Sequence, residues 1–294
     1  MSELPRVYLI DASIYVFRAW FTYPEDLSDR DGYQANAVYG YADFLNRLLT
    51  RVKPAFIACA FDQSLSTSYR NEIYPAYKAN REPAPEELKR QFEQCRQLTR
   101  SLGVAEYVSD RYEADDIIAT LAVMMRECGH PVTVVTADKD LTQLIHHDHD
   151  EWWDYARNIR LGREGVQDRF GVMPSVIADM LALAGDAVDN IPGIPGVGPK
   201  TAAGLLNRYG SLDGIYGNLA NVASCGMRGA KRIQSLLEKH EEDARLALLL
   251  TRVCEDVPVE AMPHDLGWDG VDEELLESII EQIGFNRNRY QHWL

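Results

Sequence analysis

Val7-Tyr8-Leu9-Ile10-Asp11 is a short apolar run that ends on an aspartate, and two later stretches repeat the arrangement. Ala55 to Phe61 is followed by Asp62, and Val132 to Thr136 is followed two residues on by Asp138. Apolar runs this short, bounded by turn signals, read as strands buried on both faces of a parallel sheet. In an open α/β sheet the ligand crevice lies outside the carboxyl ends of the strands. The three carboxylates would therefore meet in one crevice, where so much negative charge on a rigid frame calls for cations. Bound metal is the simplest account.

Outward from these strands the pattern alternates. Val38, Tyr41, Ala42, Leu45, Leu48 and Leu49 space a helix over Ala35 to Val52, and a second runs from Pro85 to Leu102 with Glu86 and Glu87 in its first turn. A third spans about Glu113 to Cys128 and ends at Gly129. Leu141 to Ile145 reads as a short helix and Glu151 to Tyr155 as a further strand. From Pro174 the pattern is nearly all helical. The expected architecture is α/β, a parallel-rich central sheet flanked by helices over residues 1–172, with a helical region over 173–294.

The chain has 294 residues, 46% of them apolar, and no apolar stretch approaches the roughly 20 residues of a membrane span. A strand starts almost directly after Met1 to Arg6, so no signal peptide is expected. Cys59, Cys95, Cys128, Cys225 and Cys254 are scattered and odd in number, which suits buried thiols in the cytoplasm. The net charge of −15 argues at first against a nucleic-acid partner. Fourteen acidic residues face three basic ones between Glu238 and Glu281, however, a local net of −11 that leaves the remainder only mildly acidic.

Three further motifs are rich in carboxylates. Tyr112-Glu113-Ala114-Asp115-Asp116 puts three in the first turn of a helix, where they serve either as caps or as ligands. Thr136-Ala137-Asp138-Lys139-Asp140 and Gly185-Asp186-Ala187-Val188-Asp189-Asn190 each supply a pair open to the same two readings. The segment that follows, Ile191-Pro192-Gly193-Ile194-Pro195-Gly196-Val197-Gly198-Pro199-Lys200-Thr201-Ala202, joins two helices through a glycine-rich turn. Its backbone N–H groups at a helix start suit a phosphate, and a helix-hairpin-helix of this kind grips duplex backbone regardless of sequence. It is not a Walker loop, because the four-residue spacer before Gly-Lys-Ser/Thr is absent.

Taken in order, these motifs make the chain resemble the 5′-nuclease family, which includes the nuclease domain of bacterial DNA polymerase I, phage exonucleases and flap endonucleases. The residues that carry the likeness are Leu9-Ile10-Asp11 with Arg18, Ala60-Phe61-Asp62, Tyr69-Arg70 through Tyr77-Lys78 and Arg81, the three acidic motifs, the hairpin, and Arg228-Gly229-Ala230-Lys231. The resemblance spans nearly the whole chain. It implies a PIN-like nuclease core with a helical lid at about residues 66–90, and a helix-hairpin-helix (H3TH) module beyond.

The same resemblance implies a metal-dependent phosphodiesterase. Asp11, Asp62, Glu113 and Asp115 would hold a first ion. Asp115, Asp138, Asp140 and Asp189 would hold a second or its water shell, with Asp116 and Asp186 completing the set. Two magnesium ions can activate a water and stabilise the leaving 3′-oxygen, and oxygen-only ligands favour magnesium or manganese over zinc. Lys78 and Arg81 on the lid would meet the scissile phosphate, Tyr77 would stack on a base, and Arg18 and Arg70 would touch the 5′-end phosphate. Gly193, Gly196, Gly198, Lys200, Thr201, Arg228 and Lys231 would face duplex DNA, with a potassium ion in the hairpin. A monomeric, free-standing 5′–3′ exonuclease and flap endonuclease is the expectation, with 5′ ends, flaps or nicks as substrates, replication and repair proteins as partners, and no membrane. A non-catalytic branched-DNA binder and an acidic-cluster ribonuclease are the alternatives.

Overall fold

The structure, a computed structural model, describes residues 4–63 and 68–285. Residues 66 and 67 of the expected lid and 286–294 of the helical region lie outside the described residues. Chain order begins β1 (Val7–Asp11), α1 (Ala12–Thr22), α2 (Asn36–Val52), β2 (Phe56–Asp62), α3 (Tyr69–Ile73), α4 (Glu86–Ser101) and β3 (Ala105–Ser109). It continues with α5 (Ala114–Glu127), β4 (Val132–Val135), β5 (Glu151–Asp154), β6 (Ile159–Leu161) and α6 (Arg163–Phe170). A 3₁₀ turn, Asp140–Leu144, follows β4 where a short helix was expected.

The strands form one sheet in the order β3-β2-β1-β4-β5-β6, parallel except for β6, which runs antiparallel to β5. Successive side chains along a strand point to opposite faces, so the sheet carries two cores. Ile10, Ile57, Cys59, Phe61, Val135 and Trp153 pack under α1, α2 and α4. Val7, Leu9, Ala58, Ala60, Val132, Val134 and Trp152 pack against α5. Burying each large aliphatic side chain is worth about 1.5–3 kcal/mol, which fixes the sheet as the rigid frame. Its register sets Asp11 beside Ala60 on β2, two residues before Asp62, and Ile10 beside Val135 on β4.

The helical part comprises α7 (Ile177–Ala184), α8 (Pro199–Tyr209), α9 (Leu212–Gly217), α10 (Leu219–Val222), α11 (Ala230–Lys239) and α12 (Glu241–Thr251), with α13 (Glu273–Ile283) beyond. Leu183, Leu205, Leu206, Ile233 and Leu237 share its separate core. The region from 173 is not one packing unit, however. After Arg252 the chain returns to the α/β layer, where Val257 and Leu266 join the core under α5. The Trp268 amide donates to the Ala55 carbonyl at 3.0 Å and the Asp272 amide to the Ser101 carbonyl at 2.9 Å. Leu276, Ile279 and Ile283 of α13 then complete the core around α4. No helix among the described residues is long and apolar enough to cross a membrane.

Candidate active site

Asp11 ends β1 and caps α1, so backbone geometry alone holds its carboxylate at the sheet's carboxyl edge. Its Oδ1 accepts from the Ile14 amide at 3.3 Å and its Oδ2 from the Thr136 hydroxyl at 2.8 Å, which ties the ends of β1 and β4 together. Asp62, at the end of β2, accepts from the Ala114 amide at 2.9 Å, the first residue of α5. The Asp62 amide in turn donates to the Ser13 hydroxyl. Asp138 follows β4 in a tight turn, with its amide on the Thr136 hydroxyl and its Oδ1 accepting from the Asp140 amide at 2.8 Å.

These groups feel one another strongly. Burial and the Asp62 charge push Asp11 up to about 7. Burial, then Asp11 and Asp138, push Asp115 well above the usual carboxylate range. Burial and Asp138 raise Asp140 to about 7, and burial and Glu113 raise Asp62. Mutual destabilisation of this kind is what an oxygen-only cation site looks like before its charge is met. The donor set therefore fits divalent metal.

Tethered cations hold the remaining carboxylates. Glu113 Oε1 lies 2.6 Å from Lys78 Nζ, and its Oε2 lies 2.9 Å from Arg70 Nη1 and accepts from the Tyr77 hydroxyl at 3.0 Å. Burial works against the Glu113 charge, but Lys78 and Arg70 hold the carboxyl below its ordinary value. Asp189 pairs with Arg81 and lies 3.8 Å from Lys78. Asp186 lies 2.9 Å from Lys139, and, against burial, that bond keeps it low. As they stand, no three acidic, histidine or cysteine groups among the described residues are arranged to hold a single ion.

Three expected roles need correction. Arg70, expected at a 5′-phosphate, is 2% exposed, and its guanidinium is consumed by Asp116, Glu113 and the carbonyls of Leu250 and Arg252. Asp116, expected near metal, is 0% exposed and turned onto Arg70 and the Cys254 amide. Tyr77, expected to stack on a base, is 4% exposed and packs with Ala182, Ile191, Ala247 and Leu250. In addition, the expected lid at about 66–90 is helical only at the short α3 and from Glu86, where α4 starts; between them turns run from Pro75 to Asn80, with Lys78 at φ 55°. That segment docks on the loop after α7: the Lys78 amide donates to the Asp189 carbonyl, and the Asn190 side chain to the Ala76 carbonyl.

A cleft of about 370 Å³ opens between the two halves, lined by Asp138, Asp140, Asp186 and Asp189 and by Arg81, Lys139, Arg157 and Arg169. Sequence reasoning gave no role to Lys139, Arg157 or Arg169. Lys139 stood in view between two aspartates, whereas nothing local marks the two arginines. Arg18, on α1, is exposed beside a second depression shared with Arg47, Tyr15 and Tyr155.

The hairpin between α7 and α8 is built on a glycine contact. A Cβ on Gly193 would fall 2.2 Å from the Gly185 nitrogen, so the two backbones meet where no side chain fits. Gly196 has φ 88° and lies against Arg232, and Gly198 is the exposed cap before Pro199, Lys200 and Thr201. Arg228 and Lys231 flank the exposed Gly229 that caps α11. The starts of α8 and α11 are neighbours through the Gly196–Arg232 approach.

Comparison with known proteins agrees with this layout. Residues 6–171 match the family model described as 5′-3′ exonuclease, N-terminal resolvase-like domain, and 172–274 match that of its C-terminal SAM fold. The chain is 35% identical to DNA polymerase I of Bacillus caldotenax over 95% of its own length and 31% of the polymerase. It is 38% identical to DNA polymerase I of Rhizobium leguminosarum over 88% of its length and 26% of that protein. The chain thus spans between about a quarter and a third of these relatives. Among solved structures, T5 5′-exonuclease with bound zinc aligns with TM-score 0.68 at 19% identity, covering 95% of this chain and 99% of that one. The catalytic core of Rad2 in complex with DNA substrate aligns with TM-score 0.64 at 14% identity, covering 99% and 91%. The carboxylate-edged sheet, the hairpin module and both family models lead to one assignment: the chain belongs to the 5′-3′ exonuclease family.

Proposed function

We propose that this protein hydrolyses DNA phosphodiester bonds from 5′ ends and at 5′ flaps in replication and repair. The observation that carries the reading is that Asp11 and Asp62 end β1 and β2 and Asp138 follows β4 at one edge of the sheet, with Thr136 linking Asp11 to Asp138 and Ala114 linking Asp62 to the helix start that bears Asp115. Asp11, Asp62, Glu113 and Asp115 would hold one divalent ion, and Asp115, Asp138, Asp140 and Asp189 the other or its water shell, with Asp186 completing the set. Magnesium is the proposed ion, given hard oxygen donors alone. Divalent cations there supply water activation and stabilisation of the leaving oxygen.

The chain's own residues do the rest. The exposed backbone N–H groups at the start of α8, with Lys200, Arg228 and Lys231, grip the duplex through its phosphates. A potassium ion in the hairpin belongs to the same proposal. Lys78 and Arg81, which pair with Glu113 and Asp189 in the free protein, exchange those carboxylates for the scissile phosphate and stabilise its growing charge. Arg70 and Tyr77 hold Glu113 in place while that exchange occurs. The five free thiols favour a cytoplasmic setting.

The test is cleavage of labelled 5′-flap DNA in magnesium by the wild type and by Asp115→Ala and Asp138→Ala. Loss of turnover in both variants, with flap binding in calcium preserved, is the expected result. Wild-type protein that binds flaps without cutting them would make it a branched-DNA binder, and full activity in the variants would refute the site.

A further inference from the structure

Lys139 differs from the other cations that meet the acidic groups. Lys78 and Arg81 arrive on the docked segment after α3, and so can leave with it. Lys139 sits on the turn that ends β4, and its carbonyl is fixed by the Thr142 amide at 3.0 Å and the Thr142 hydroxyl at 2.6 Å. The Lys139 side chain is half exposed, yet its Nζ lies 3.0 Å from Asp140 Oδ1 and 2.9 Å from Asp186 Oδ2. It thereby bridges the α/β core to the loop after α7, across the wall of the cleft.

An ammonium at ion-pair distance from two carboxylates meets half the charge that a divalent ion would bring; here it hydrogen-bonds Asp186 and leaves the buried Asp140 Oδ1 without a hydrogen-bond partner. Sharing those carboxylates with a divalent ion would set like charges a few ångströms apart, which weakens the binding of that ion. We propose that Lys139 is a resident counterion of the Asp140–Asp186 half of the site, a positioning residue that competes with a divalent cation for these two carboxylates. The proposal rests on the metal-site reading above. Two consequences follow. The free protein keeps this half of the site folded without metal, and divalent affinity there is weak because the tethered cation must first be displaced.

Calcium titration of the full chain without DNA, by calorimetry at low ionic strength, tests this directly, together with thermal unfolding in EDTA. Replacing Lys139 by Met keeps the stem and removes the charge. Lys139→Met should bind calcium about tenfold more tightly at the weaker site, a factor that one exposed charge pair at this range supplies, and should unfold at lower temperature in EDTA. Lys139→Arg should restore both wild-type values, which a mere packing role for the stem would not require. Asp140→Asn should abolish the weaker calcium event. If Lys139→Met binds calcium no more tightly while Asp140→Asn still removes binding, the counterion role is wrong and the metal site stands. If Asp140→Asn leaves calcium binding intact, the site reading falls, and this inference with it.

Discussion

Arg70 and Asp116 form a bidentate pair, with Nη1 2.7 Å from Oδ2 and Nη2 2.7 Å from Oδ1. Neither residue is open to a phosphate, and Asp116 also receives the Cys254 amide at 2.8 Å. The pair joins α3 of the docked lid, the start of α5 and the chain returning from α12 at a single point. Removing one partner of such a buried pair leaves an uncompensated charge and typically costs about 3–5 kcal/mol. Arg70→Ala should therefore lower the unfolding midpoint sharply in denaturant titration. A variant of unchanged stability that has lost only its preference for 5′-phosphorylated ends would restore the phosphate role.

The acidic edge should make the metal-free protein sensitive to pH in an unusual direction. Asp11 and Asp140 are raised by burial from 3.8 to about 7, so the native state binds more protons than the unfolded state between those values. Their contribution is fully present below about pH 4 and is lost as pH rises through about 7. In EDTA, thermal stability should fall across that window, and Asp11→Asn should flatten the slope. Saturating magnesium should flatten it as well, since bound cations favour the ionised form. A midpoint in EDTA that rises steadily from pH 5 to 8 would contradict the arrangement.

The starts of α8 and α11 should act as one electrostatic grip. Lys200→Ala and Lys231→Ala should each weaken duplex binding in calcium to a similar degree on unrelated sequences. Each should also reduce the slope of log affinity against log salt by about one. Sequence-dependent losses, or an unchanged salt slope, would place the DNA elsewhere.

Much of this was legible before any coordinates. Strands buried on both faces announced themselves through Val, Ile and Leu runs, and the aspartates that ended them marked the carboxyl edge. β3 escaped because Ala105-Glu106-Tyr107-Val108-Ser109 is half-buried throughout, with Glu106 drawn into ion pairs with Arg96 and Arg100. Arg70 and Tyr77 were misplaced for a different reason. Spacing marks a cation or a ring as available, but only the long-range return of residues 250–254 shows what covers it. The same limit applies to the acidic stretch after α12, where the contacts of Trp268 with Ala55 and Leu102 span more than 160 residues.

That return path bears on how the polypeptide should be handled at the bench. The family match stops at residue 274, two residues into α13. A tempting truncation there would strip Leu276, Ile279, Ile283 and Phe285 from the layer they seal against α4 and Tyr39. The shortened product would present an apolar gap on the α/β half and precipitate for reasons unrelated to its chemistry.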